Sequence, residues 1–343
     1  MKDKTILYIG SMLSRHGTTP QPIEVLGPLL EIDNEVIYSS NKKNIIIRMF
    51  DMIFTLLINK SKISFVIIDT YSGWSFYYVL IISALSQIFG IKYIPFLHGG
   101  NLESRLKTNS KLSNFIFSYS YINVSPSTYH ENNFKKYGYN CITVPNVINL
   151  SKYPFKERKV VKSNLLWVRS FQIIYNPLLA LKIVKGLIDK GYTKTTLTMV
   201  GPAKDSSFDE CKAYVKHFSL ENHVSILGLK TKDEWIKLSK DQDIFINTTN
   251  VDNTPVSVIE AMALGMLVIS TNVGGIPNII NGKNGILVAP QNEEDFINQI
   301  LLLIKNKNTN YSKQAREYSL KYDKKKDLKK WNNIFSEDFD LSK

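Results

Sequence analysis

Cysteine is almost missing from this chain. Cys141 and Cys211 are the only two among 343 residues, and neither has a metal-ligand partner at short spacing. That excludes a disulfide scaffold and a structural zinc site, and points to a reducing compartment. An arginine-rich arm is missing too, so the net charge of +13 is not laid out as a nucleic-acid footprint, and no nucleic-acid partner is expected. No G-x-G-x-x-G follows the first strand, which removes the dinucleotide fingerprint. No apolar run reaches the ~20 residues that cross a bilayer. The two longest, 45–58 and 76–91, are interrupted by Arg48 and Asp51 and by Ser83, Ser86 and Gln87; they read as buried or interfacial helices. The chain does not open on a charged start followed by a long apolar run, so no leader is expected and a cytoplasmic location is. Acid is the scarcer sign, with 30 Asp and Glu against 43 Lys and Arg. The lysines are spread along the chain, which fits an anionic small ligand, an anionic membrane surface, or a plain solubilising surface.

What is present is an ordinary globular composition, 44% apolar and 21% charged, at a length comfortable for two domains. Short apolar runs ending in glycine or a polar turn alternate with helical periodicity. In the first half the strands fall at 4–10, 35–39, 65–70, 93–97, 121–124 and 141–144. In the second they fall at 165–168, 196–200, 224–227, 244–247 and 267–269. Such alternation predicts an α/β chain with two parallel, doubly wound, Rossmann-like sheets. The charged, aperiodic segment 151–163 reads as a linker. The expected domains are 1–155 and 156–317, with a helical tail at 318–343.

The stretch 251–290, VDNTPVSVIEAMALGMLVISTNVGGIPNIINGKNGILVAP, carries the chemistry. Asn253 or Thr254 suits a helix N-cap and Pro255 the first helical position. An apolar helix follows to Gly265, then a buried strand, then the Gly274-Gly275 turn. A helix N-terminus is a natural phosphate site, and Glu260 is a carboxylate in need of a partner, for which a hydroxyl-bearing ligand would serve.

This stretch resembles the acid pair, EAMA-x-G helix and GGIPE-like loop of the retaining GT-B glycosyltransferases of family 4, with Asp252 and Glu260 as the pair. The resemblance implies a GT-B fold: two Rossmann-like domains facing a central cleft, the tail after Tyr318 crossing back to the first. It implies that Glu260 takes the ribose hydroxyls of a nucleotide and that Asp252 contacts the transferred sugar. The backbone of Asn253, Thr254, Pro255, Val256 and Ser257 would lie close to the donor. Arg169, after the strand 165–168, stands where the family places a phosphate-binding arginine, but the lysine that usually follows a few residues later is missing. His98-Gly99 ends a first-domain strand where the family contacts the donor sugar. Gly17 and Thr18 match its glycine-rich first loop, and Gly201 and Gly228 are candidate base-pocket glycines. Asp241-Gln-Asp243 resembles the metal motif of the other glycosyltransferase fold, yet it precedes a strand rather than following one, and no metal is expected.

The activity implied is transfer of a sugar from a UDP- or GDP-linked donor, needing no cofactor, to a hydroxyl of a glycan or lipid-linked acceptor. Bacterial cell-surface polysaccharide synthesis is the expected setting, with peripheral contact at the anionic inner membrane. Two readings keep the fold and change the role: a non-catalytic nucleotide-sugar-binding partner in an assembly complex, and a nucleotide-sugar epimerase or phosphorylase.

Overall fold

A computed structural model describes residues 4–16, 20–98, 102–306, 310–336 and 339. Gly17, Thr18 and Gly99 of the expected site lie outside them. The chain forms two compact units, residues 1–147 with 324–343 and residues 148–323.

The first unit is built on six parallel strands: β1 Thr5–Ile9, β2 Glu35–Ser39, β3 Phe65–Thr70, β4 Lys92–Leu97, β5 Asn123–Ser125 and β6 Cys141–Thr143, in the order β2-β1-β3-β4-β5-β6. Alternate residues of each strand serve opposite faces. Leu7, Ile9, Val66 and Ile68 join Met52, Leu56, Val79 and Ile82 in one core. Ile6, Tyr8, Phe65 and Ile67 join Ile23, Leu26, Trp331 and Phe335 in the other. Because both faces are covered, the strands read as nearly unbroken apolar runs. The last helix, Lys324–Phe335, thus completes the first unit, setting Trp331 edge-on to Phe96 with ring centroids 5.4 Å apart. Two short helices, Leu102–Thr108 and Ser110–Phe117, fill a stretch whose serine, asparagine and lysine content masks its helical period.

The second unit carries β7 Asn164–Val168, β8 Thr196–Val200, β9 Val224–Ile226, β10 Ile244–Asn247, β11 Leu267–Thr271 and β12 Ile286–Val288, in the order β12-β11-β10-β7-β8-β9. Strand β12 was not expected: its three residues follow two asparagine–glycine turn signals and are too few to show a period. Leu165, Trp167, Ile244 and Ile269 pack on one face, and Leu166, Phe245, Val258, Met262 and Val268 on the other.

The segment 151–163 is not a free linker. Tyr153, Arg158 and Val161 are buried within the second unit. The Arg158 guanidinium donates to the carbonyls of Lys156 at 2.7 Å, Ser239 at 2.9 Å and Gln242 at 3.2 Å, and also to that of Leu264. Charge and aperiodicity suggested solvent, but this charge is consumed by carbonyls from distant parts of the chain. The passages between the units fall at 147/148 and 323/324, a few residues from the 155/156 and 317/318 borders expected. There Ile148 pairs in parallel with Asp323, its N–H donating to Tyr322 O at 2.9 Å.

Candidate functional site

In the second sheet the chain leaves β7 and β10 in opposite lateral directions, which makes the carboxyl ends of these neighbouring strands the topological switch point where open α/β sheets bind ligands. Arg169 immediately follows β7, and residues 248–255 follow β10. The two loops are tied together. Asn250 N–H donates to Ile174 O at 2.8 Å, Trp167 Nε1 donates to Thr248 Oγ1 at 3.0 Å, and Arg169 forms an ion pair with Asp252. The Arg169 guanidinium also lies over the Tyr175 ring, 4.2 Å from its centroid. Burial pushes its pKa below the ordinary arginine value, opposed by Tyr175. Its Nε is buried and has no hydrogen-bond partner among the described residues. A buried guanidinium with an unused donor is a cation prepared for an anion.

Backbone packing fixes this cation in place. Arg169 N–H donates to Val200 O at 3.0 Å, and Gly201 N–H to Gly228 O at 2.8 Å. The loops after β7, β8 and β9 are thereby laid side by side. A Cβ at Gly201 would collide with the Arg169 carbonyl, just as one at Gly274 would collide with that of Asp252. The glycines permit these close approaches, and Gly275 N–H closes the second with a 3.2 Å bond to Asp252 O.

The helix expected from Pro255 begins at Val256, with Pro255 as its N-cap at ψ 106°. Residues 252–255 stay outside the helix, with the Gly274-Gly275 backbone lying against Asp252 and Asn253. Asp252 Oδ1 accepts the Asn253 N–H at 2.8 Å. Asn253 and Thr254 are buried. The Val256 and Ser257 amides belong to the first helical turn and have no intrahelical acceptor. Ser257 Oγ is buried and without a partner among the described residues.

Glu260 lies one helical turn further on and is 3% exposed. Its Oε1 accepts the Tyr153 hydroxyl at 2.6 Å and a hydrogen bond from the Lys232 ammonium, leaving Oε2 without a partner among the described residues. Burial, and then the Glu260 charge, push the Tyr153 phenol far above its ordinary pKa, so it remains a donor. Neither Tyr153 nor Lys232 was anticipated. Tyr153 sat in the presumed linker. The one available hint for Lys232 was a lysine at the first position of a capped helix, Lys232–Leu238, where the helix dipole disfavours a cation.

His98 belongs to the first unit and is described with it. The carboxyl ends of β1, β3 and β4 bring together Tyr8, Asp69 and His98, all buried. Asp69 Oδ1 accepts the Tyr8 hydroxyl at 3.1 Å and lies 3.0 Å from His98 Nε2. Asp69, near the end of the strand expected at 65–70, orients the imidazole of a candidate site histidine. Of the D-x-D pair, Asp243 Oδ2 accepts the Lys162 N–H at 3.0 Å and Asp241 O accepts from Asn164 Nδ2 at 3.1 Å, an arrangement that anchors the start of β7.

These two doubly wound parallel sheets are those of a GT-B protein. The crystal structure of Anabaena Alr3699/HepE in complex with UDP and glucose superposes with a TM-score of 0.76, at 15% identity, over 98% of this chain and 100% of that one. Residues 152–322 match the family of glycosyl transferases group 1, and through its second unit the chain belongs to that family. Among relatives, the sulfoquinovosyl transferase SQD2 of Arabidopsis thaliana is 32% identical over 102 residues, 28% of this chain and 20% of that protein. The N,N'-diacetylbacillosaminyl-diphospho-undecaprenol alpha-1,3-N-acetylgalactosaminyltransferase of Campylobacter jejuni is 26% identical over 223 residues, 61% of this chain and 57% of that protein. The chain thus spans from a fifth to just over half of the length of these two relatives.

Proposed function

We propose that this chain is a retaining family 4 glycosyltransferase. It would move a sugar from a nucleoside-diphosphate sugar to a hydroxyl of a glycan or lipid-linked acceptor, without metal, in bacterial cell-surface polysaccharide synthesis on the cytoplasmic side. The observation that carries this reading is the set of polar groups around one switch point that are without partners among the described residues: a donor of the buried Arg169, the amides and serine hydroxyl of a helix start, and one oxygen of the buried Glu260. The second unit's family match supports it. In this reading Glu260 takes the ribose hydroxyls, and Arg169 with the Val256 and Ser257 amides takes the diphosphate. Asp252, released from Arg169, turns to the sugar. Departure of the diphosphate leaves an oxocarbenium-like centre that the acceptor hydroxyl attacks from the same face, and fixed positive groups stabilise the leaving charge. His98, oriented by Asp69, is the candidate site residue of the first unit.

A second reading is a nucleotide-sugar-binding protein that does not turn over. One observation favours it: the Arg169 charge is already answered by Asp252, and no lysine follows Arg169 in its loop. Hydrolysis or transfer of a bound donor separates the two. The first test is calorimetric titration with UDP and GDP on wild type and on Glu260→Ala. One nucleotide is expected to bind, and the substitution to weaken it by about 2 kcal/mol through lost charge-assisted hydrogen bonds. If neither nucleotide binds, or if Glu260→Ala binds as wild type does, the donor site is misassigned.

A further inference from the structure

The helix Ile45–Asn59 is apolar well beyond the face that it buries. Met52 and Leu56 are fully buried in the first unit's core, with Met49 and Ile53 packed beside them. At ~100° per residue, Ile46, Ile47, Phe50, Phe54, Leu57 and Ile58 share an arc about 120° wide on the far side. All six are exposed, between 38% and 65%. A helix that is apolar all round belongs in an interior; this one has an interior on one side only. Isolated exposed apolar residues are ordinary, but a contiguous face of six is the mark of a docking surface. The helix is also firmly started, with Asn44 Oδ1 accepting the Ile46 and Ile47 N–H groups at 2.9 and 3.2 Å.

We propose that this face seats the protein on an anionic lipid bilayer, the helix lying flat in the headgroup region. Charge names the occupant. Lys42 and Lys43 precede the helix, Lys60 and Lys62 follow it, and all four are exposed. Arg48 lies on its flank. Asp51 is the sole acid between Asn41 and Ser64, and it is turned inward to accept the Ser39 hydroxyl at 3.2 Å. A second copy docked on the same face by a two-fold axis would bring like-charged ends together. A specific protein partner would ordinarily be met by hydrogen-bonding groups, and the arc offers none. An anionic headgroup layer meets both features, since side chains enter the acyl boundary by ~5–10 Å while lysines at both ends reach phosphates. Fifteen residues give a helix about 22 Å long, suited to lying in the surface, and no described helix is long and apolar enough to cross a membrane. This inference does not rest on the donor chemistry.

The test is flotation of the full chain with vesicles of phosphatidylcholine alone and with about one-third phosphatidylglycerol. It is run on wild type, on the double variant Phe50→Glu/Phe54→Glu and on Lys42→Glu/Lys43→Glu, with light scattering in parallel. Wild type is expected to float with the anionic vesicles and to release in high salt. The phenylalanine variant should lose at least tenfold in binding, and the lysine variant should lose the preference for anionic lipid. Both change exposed side chains, so thermal unfolding and nucleotide titration should match wild type. Failure of wild type to bind anionic vesicles overturns the proposal, as does equal binding by the phenylalanine variant. A wild-type dimer that this variant converts to monomer would assign the face to a second copy instead. Failure of the donor reading would show separately, as absent nucleotide binding in wild type.

Discussion

Arg169 and Asp252 form an ion pair, so a diphosphate that takes Arg169 competes with the carboxylate. Removing that competition has a definite sign. Asp252→Asn should bind the nucleoside diphosphate roughly fivefold more tightly, about 1 kcal/mol, while transfer from the full donor falls if, as proposed, Asp252 contacts the sugar. Calorimetry with the diphosphate and a single-turnover assay with the donor check the two halves; weaker nucleotide binding by the variant would mean that Asp252 holds Arg169 in shape rather than competing for it. Glu260 was legible in the sequence because it sits at a fixed spacing from Asp252 within one continuous stretch. Its partners were not. Tyr153 comes from 107 residues away and Lys232 from 28, and no local pattern encodes a meeting at that separation. Asp69 behaves likewise: the sequence places it at a strand end, but only the register of β3 and β4 carries it to His98.

At the scale of elements, the helix Val256–Ala263 and the strand β11 were readable because apolar period and glycine punctuation agree there, whereas the three residues of β12 were not. Segment 151–163 was misread because its one decisive residue, Arg158, looks like any surface cation. Its guanidinium in fact ties the loop to the carbonyl end of the Val256–Ala263 helix and to the turn before β10. Arg158→Ala would strand several buried carbonyls and should destabilise the second unit by about 3 kcal/mol. Arg158→Lys, with three donors and no planar fork, should recover only part of that. Urea denaturation of the three proteins checks it, and a loss below about 1 kcal/mol would reduce Arg158 to a surface ion. The helix Ile45–Asn59 shows a different limit: its apolar run is plain in the sequence, but which arc faces the core depends on tertiary packing.

For the whole molecule, the α/β class and paired sheets follow from alternation along the chain. The mismatch in borders arises because a unit is defined by what packs together, and Trp331, Ile334 and Phe335 are buried against a sheet made from the other end of the sequence. Trp331→Ala should cost about 3–5 kcal/mol through the cavity it leaves under β4, read as an early thermal transition of the first unit while the second is unchanged. A single unaltered transition would show that the last helix is peripheral to that core.

That arrangement has a consequence for how the protein is made. Emerging from the ribosome, residues 148–323 form an uninterrupted unit that can close as soon as it clears the tunnel. The first unit, although synthesised earlier, lacks until then the helix Lys324–Phe335, which packs with Ile23, Leu26 and Leu30 over one face of its sheet. The usual N-terminal-first order is therefore reversed. For the whole time that the second unit is being translated, the nascent chain carries a partly uncovered apolar sheet face, the kind of surface that chaperones hold.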